Sequence, residues 1–279
     1  MIISRYVIEF FIFSVIGWLF ECTYCTVKEH RWQNRGFLFG PVVPIYGAGA
    51  VIASVISHYA PPVAALPDWQ LFLLCAVVSA VLEYVTSYFL EKQFHARWWD
   101  YRDMPLNLNG RICLPATIGF GLAGLVIIRV ILPRAGSYEA ALPPLVTEAL
   151  ALAITALISA DTAITCVTLT SLLEKLEHFD EEFNKTVESA YARVEAAPAA
   201  ITGRIQEQGA AMRQSLQDKQ EEMKLSLQDK QQGLQIRVKS LTARQTHILM
   251  NIRRINSEKA NAAADRMRSA VRAIKDRRS

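Results

Sequence analysis

The sequence predicts an all-α polytopic integral membrane protein, a helical bundle of five spans with a long helical, coiled-coil-like tail. Residues 1–170 carry five apolar runs, each about 20 residues long, the length that crosses a bilayer core as an α-helix. Residues 171–279 change to Glu, Gln, Lys, Arg and Ala, so the overall 52% of hydrophobic residues describes neither part. Lys and Arg gather in only two of the connections between the runs. These observations divide the chain into a transmembrane domain, 1–170, and a helical tail, 171–279.

The first span, about 6–26, follows MIISRYVIEF without a small-residue cleavage site, so it reads as retained rather than as a secretory signal. Glu9 falls near one end, where a carboxylate reaches the interface by snorkelling. Glu21 lies about 7 Å inside the other end, from the helical rise per residue. The second span, about 37–57, is crowded in its first half by Gly40, Pro41, Pro44, Gly47 and Gly49. Pro removes amide donors and Gly weakens helices, so a continuous helix is not expected here. Two readings follow: an unwound segment lining a site, or close helix packing through small residues. The third span, about 70–90, holds Glu83 about 10 Å from its end, and Glu91 closes it. The fourth, about 113–132, has Pro115 at its entrance and Arg129 near its far end, placed to snorkel. The fifth, about 146–168, carries Asp161, again about 10 Å deep.

Charge sets the expected orientation. Lys28, Arg31 and Arg35 occupy the first connection, and Lys92, Arg97, Arg102 and Arg111 the third. Arg5, Arg134 and an uncharged-but-for-Asp68 second connection oppose them. The excess of cations belongs in the cytoplasm, which places the N-terminus outside and the tail inside. The five cysteines lie in or beside the spans and give no disulfide framework. Cys22 and Cys25 form a C-x-x-C with no second pair, so they read as apolar filler rather than metal ligands. No metal and no cofactor is expected.

Residues 91–112, EKQFHARWWDYRDMPLNLNGRI, pack His95, Arg97, Trp98, Trp99, Asp100, Tyr101, Asn107, Asn109 and Arg111 into one short connection. A passive loop needs only polarity and a turn. On the same side of the bundle fall Glu21, Glu83, Asp161, Pro41, Pro44 and Pro115. Embedded ionisable residues are functional candidates when partners exist, and Arg35, Arg97, Arg111 and His95 are the partners at hand. A binding cavity opening to the cytoplasm and a structural ion-pair network both fit. The Trp pair equally suits an aromatic belt at the interface. No Gly precedes a Lys, which excludes a Walker A loop, and neither a zinc-protease pair of His nor G-x-S-x-G occurs. Acid–base work by Glu21 or Glu83 with His95 needs only shifted pKa values, but no spacing favours it, and the chain is not expected to be an enzyme.

The tail begins with an acidic helical stripe at 172–196 (Leu176, Phe179, Phe183, Val187, Val194), with seven Asp/Glu against three Lys/Arg. Pro198 ends it. SLQDKQEEMKL at 215–225 repeats as SLQDKQQGLQI at 226–236, a period of eleven. That period gives a nearly straight or slightly right-handed supercoil, continued by heptad spacings at Ile248, Ile252 and Ile255. Lys219 and Lys230 weaken the seam, so the helices need a partner or self-association. Residues 253–279 hold nine Lys/Arg against three Asp/Glu. They read first as a solvated charged helix, with contact to acidic lipid or nucleic acid as the alternative, though no specific nucleic-acid motif occurs.

GWLFECTYC, NRGFLFGPVVPIYG, LEYVTSYFLEKQFHARWWDY and NLNGRICL resemble the bacterial family of type IV ABC-transporter permeases, over about residues 8–170. The resemblance singles out Glu21, Arg35, Gly36, Gly40, Pro41, Pro44, Tyr46, Gly47, Glu83, Trp98, Trp99, Asp100, Tyr101, Asn109, Gly110 and Arg111. It implies a transport subunit in the bacterial cell membrane, acting as a homo- or hetero-oligomer with a separate ATPase subunit, its substrate unnamed. The tail lies outside the resemblance. Two other functions remain: a membrane enzyme or lipid-headgroup binder using the Glu/Arg/His cluster, with guanidinium geometry suited to phosphate, and a scaffold whose tail recruits protein partners.

Overall fold

Apolar length decides most of the architecture. In the computed structural model, which describes residues 2–30, 32–134, 143–195, 236 and 238–276, four segments are long and apolar enough to cross a membrane: Ile2–Glu29, Asp68–Phe94, Leu114–Arg134 and Pro144–His178. They correspond to helix α1 (Ile2–Glu29), α4 (Asp68–Phe94), α5 (Leu114–Val126) with its continuation, and the first part of α6 (Pro144–Glu195). The short helix α3 is Pro61–Ala64.

The second apolar run departs from the expected 37–57 helix. Residues 37–43 are not helical, and α2 (Pro44–Tyr59) has 16 residues, about 24 Å of helix. Pro44 sits in its first turn, where a missing amide costs nothing. Upstream, Gly40-Pro41 prevents the helix from extending backwards. The Val43 amide instead donates to the Ser14 carbonyl at 3.0 Å, so the non-helical segment reaches the mid-length of α1. The run is therefore unwound at its start and closely packed through small residues along its helix. A Cβ on Gly47 would stand 2.3 Å from the Phe10 carbonyl oxygen and from Ser14 Oγ. Gly17 faces the Tyr46 ring, while Gly121 and Gly124 let α5 approach Phe72 and Cys75 on α4.

Helix ends are equally local. α4 stops because His95 adopts the left-handed conformation (φ 53°) and returns its amide to the Glu91 carbonyl at 2.8 Å. A π-helical turn at Ile127–Ile131 continues α5 and carries Arg129. Near the far end of this span Arg129 donates to Asp68 Oδ1 at 2.9 Å and to the Leu66 carbonyl. Glu9, expected to reach the interface, is buried within the protein at 6% exposure.

The chain forms two compact units, Met1–Thr170 with Met250–Asn256, and Ser171–Leu249 with Ser257–Ser279. In the second unit, Leu172 and Leu176 are fully buried. The fifth span and the tail stripe are one helix, α6, rather than two. The side chains of Phe179, Phe183, Val187 and Val194 lie outside the described residues, as do Pro198 and most of the eleven-residue repeat. Helix α7 (Ala243–Asn251) starts with a capping box: the Gln245 amide donates to Thr242 Oγ1, and Gln245 Oε1 accepts from the Thr242 amide, both at 3.2 Å. Gln245 also accepts from Lys175 Nζ at 3.2 Å and donates to Ser171 Oγ at 3.4 Å. The expected run through Ile248, Ile252 and Ile255 does not stay on one helix, because Arg254–Ile255 forms a strand, β2. Helix α8 (Glu258–Asp276) buries Ala260, Ala263, Ala264, Met267 and Val271 on one face, so this basic segment is not simply a solvated helix.

Candidate functional site

The 95–113 connection is folded on itself by its polar residues. Beyond strand β1 (Ala96–Arg97), Tyr101 N–H donates to the Gly110 carbonyl at 2.8 Å, and Leu108 bridges Ile112. Asn109 (φ 53°) and Gly110 (φ 68°) are both left-handed, and a Cβ on Gly110 would stand 2.6 Å from Arg102 and 2.8 Å from Asp100 Oδ1. This turn needs Asn-Gly: Asn tolerates positive φ, and Gly takes it freely because it has no Cβ. Burial pushes the Asp100 carboxyl up, but hydrogen bonds from the Arg102 guanidinium and amide outweigh it and hold it below the ordinary Asp range. Trp98 is buried against Phe37 and Phe94, which removes it from any interfacial belt.

The turn presents two arginines to the end of α4. Arg97 meets Glu91 twice at 2.9 Å, through Nη2 and Nε, and Arg111 Nη2 meets Glu91 Oε2 at 2.5 Å. The Arg111 guanidinium also lies 5.3 Å and 5.4 Å from the ring centres of Tyr84 and Tyr88. Arg97 Nη1 donates to the Asn109 carbonyl, Asn109 Nδ2 donates to Tyr84 Oη, and Trp99 Nε1 donates to the Arg111 carbonyl. The sequence pairs these arginines with Glu21, Glu83 or Asp161; the structure gives both to Glu91. Glu91 is the residue that reasoning from depth missed. Its signal was helical spacing, since Tyr84, Tyr88 and Glu91 share one face of α4.

The deeper carboxylates take phenols. Tyr46 Oη donates to Glu21 Oε1 at 2.7 Å, and Tyr101 Oη donates to Glu83 Oε1 at 2.9 Å. The two pairs lie within electrostatic range of each other, Glu21 acting on Glu83 and Tyr101 on Tyr46. Burial first, then the charge of Glu83 and the bond to it, pushes the Tyr101 phenol well above its ordinary value. Glu83 is 3% exposed, and its Oε2 has no hydrogen-bond partner among the described residues. One carboxyl group is thus fixed on one oxygen and open on the other, beside a second carboxyl.

The remaining candidates serve elsewhere. Asp161 Oδ2 accepts from the Gly40 amide at 2.8 Å, anchoring the non-helical 37–43 segment to α6. Arg35 donates its amide to Cys22 Sγ at 3.3 Å. Pro41 and His95 are exposed, and His95 acts through its main chain as the cap of α4. Pro44 starts α2 and so aims Tyr46. A separate crevice of about 370 Å³ lies between α1, α2 and α6, walled by Tyr6, Phe10, Val51, Ile154 and Ile158; it is apolar and includes none of the candidate residues. Among the described residues, no three His, Cys, Asp or Glu side chains are grouped to hold a metal ion.

The family model described as "Putative ABC-transporter type IV" matches residues 8–166, the stretch that supplies both the arginine clamp and the phenol–carboxylate pairs. No curated protein and no solved structure matches the chain.

Proposed function

The chain belongs to this type IV ABC-transporter family, and from that premise we propose that it is the membrane transport subunit of an ABC-type system, with a polar site at Glu21, Tyr46, Glu83 and Tyr101. The family and the four apolar helices make it a multi-pass membrane protein. In this reading α2 and the extended 37–43 segment together make the fifth passage. The N-terminus then faces outward, and the 31–43 and 95–113 connections face the cytoplasm. The chain holds no nucleotide-hydrolysing loop, so ATP hydrolysis belongs to a separate subunit docking on those connections.

One observation carries the site: the open Oε2 of Glu83, buried in an apolar spanning helix beside Glu21. A buried charge without compensation costs several kcal/mol, roughly what translocon scales assign to Asp at a helix centre. Two neighbouring carboxyls on neutral phenols are therefore completed by a proton or by a cationic group of the transported molecule. The headgroup reading is less supported, because Arg97 and Arg111, its natural anion ligands, are already engaged with Glu91.

Two experiments test the reading. Affinity purification of the full-length chain from cross-linked native membranes should bring down a nucleotide-binding ATPase subunit; its repeated absence refutes the coupling. Dicyclohexylcarbodiimide, which modifies protonated carboxyls in apolar surroundings, should label Glu83 in the intact protein, and Glu83→Gln should abolish the label. A folded protein whose Glu83 stays unlabelled refutes the site.

A further inference from the structure

Residues 250–256 lie far outside the family match at 8–166, yet they pack with the first unit. The chain leaves α7 at Asn251 and runs extended through β2, which pairs antiparallel with β1, Ala96 opposite Ile255 and Arg97 opposite Arg254. The Arg253 amide donates to the Arg97 carbonyl at 2.7 Å, and the Asn256 amide donates to the His95 carbonyl at 2.8 Å. Asn251 Nδ2 donates to the Asn34 carbonyl at 3.1 Å. Ile252 and Ile255 are 1% and 3% exposed, Asn251 2%, and Ala96 is fully buried, whereas Arg253 and Asn256 face out.

These contacts have the form of strand addition, in which main-chain bonds supply affinity and alternate side chains supply fit. The acceptors are carbonyls of Asn34, His95 and Arg97. They are displayed by the two connections of the family domain because His95 turns the chain out of α4 in a left-handed cap. Without the segment they would form an open strand edge, which proteins ordinarily cover.

We propose that the 95–97 edge and the Asn34 carbonyl form a docking site for an extended peptide, and that this chain fills it in cis with its own residues 251–256. The pairing is two residues long, a length of strand contact that is marginal by itself. The covalent link supplies the rest, because it makes the second contact intramolecular. The occupied site fixes the main chain of Arg97 and so latches the connection that carries the Glu91 clamp. It requires no transport activity, and failure of the ATPase co-purification leaves it standing.

The test uses the full-length protein in detergent and a fluorescent peptide with the sequence of residues 250–257, MNIRRINS. Ile255→Asp, which puts a charge at a buried position of β2, should release the segment and let the peptide bind at least about tenfold more tightly than to the unsubstituted chain, because the cis competitor is weakened. A peptide carrying the same Ile255→Asp change should bind neither protein. Equal binding to both proteins, or no binding to either, overturns the proposal. Should Ile255→Asp fail to fold, hydrogen exchange on the unsubstituted chain decides: slow exchange of the Arg253 and Asn256 amides is expected, and exchange as fast as an unstructured peptide overturns the pairing.

Discussion

Glu91→Ala should be the most damaging single truncation in the 91–112 segment. It removes the one acidic partner that, among the described residues, two guanidinium groups share, their side chains being 11% and 12% exposed and Glu91 itself 13% exposed. Breaking a pair this buried strands the cations, and the cost is about 3 kcal/mol, the lower end for a buried ion pair. For a domain of 150–250 residues that corresponds to a fall in Tm of roughly 6–12 °C. Asp68 provides the internal standard. Its bridge to Arg129 has a similar 2.9 Å distance, but the carboxylate is 73% exposed, so Asp68→Ala should cost less than about 1 kcal/mol. The assay is a thermal scan in detergent with a thiol-reactive dye, since Cys22, Cys25, Cys75 and Cys113 are buried and report unfolding. Scans of this kind depend on rate, so all variants are compared at one rate. A Glu91→Ala shift no larger than that of Asp68→Ala refutes the clamp as a stabilising element.

Gly47→Ala should lower Tm by several degrees in the same assay, because its Cβ would meet the Phe10 carbonyl and Ser14 Oγ at 2.3 Å, whereas Gly119→Ala, with nothing within 4 Å, should leave Tm unchanged or slightly raised. Tyr101→Phe should cost roughly 1–3 kcal/mol by leaving Glu83 with neither oxygen bonded, read as a Tm fall that Tyr59→Phe, at an exposed ring, does not reproduce. Tyr101 also fixes a sign for pH: its folded value lies above the ordinary value of about 10. Its stabilisation is therefore complete below pH 10 and lost as pH rises beyond it, since the unfolded phenol releases its proton first. Tyr101→Phe should flatten that alkaline decline in Tm, and an unchanged slope contradicts the assignment.

Much of the architecture was legible because it depends on length, composition and local breakers. About twenty predominantly apolar residues are long enough to cross a bilayer core as a helix, and Gly40-Pro41-x-x-Pro44 breaks one. What could not be read was partner choice. Depth along a helix placed Glu21, Glu83 and Asp161 on the same side as Arg35, Arg97 and Arg111, but depth is one coordinate of three. The left-handed residues His95, Asn109 and Gly110 decide where the turn points, and they carry Arg97 and Arg111 to the end of α4 instead of into the bundle. The same limit hid β2. Ile248, Ile252 and Ile255 keep a helical spacing, so only the tertiary pairing with Ala96–Arg97 tells that the last two have left the helix.

The two kinds of carboxylate contact differ in what they permit. At Glu91 three charge-assisted contacts of 2.5–2.9 Å hold one carboxylate, an arrangement that keeps it ionised and costs too much to open in a working cycle. Glu21 and Glu83 each hold one neutral phenol donor, a bond worth only about 0.5–1.5 kcal/mol net. Releasing a neutral phenol leaves no cation stranded, so exchanging what completes these two groups costs less than opening the clamp, which would strand two guanidinium groups as well. The rigid pair lies where α4 ends, and the exchangeable pair lies deeper, where Tyr46 follows the break at Pro44 and Tyr101 follows the Trp98–Trp99 anchor. A transport site needs both: a ligand shell loose enough to release its occupant, and a frame that does not loosen with it. That division, rather than the mere count of buried acids, is the support for the proposed site at Glu21 and Glu83 over a static ion-pair network.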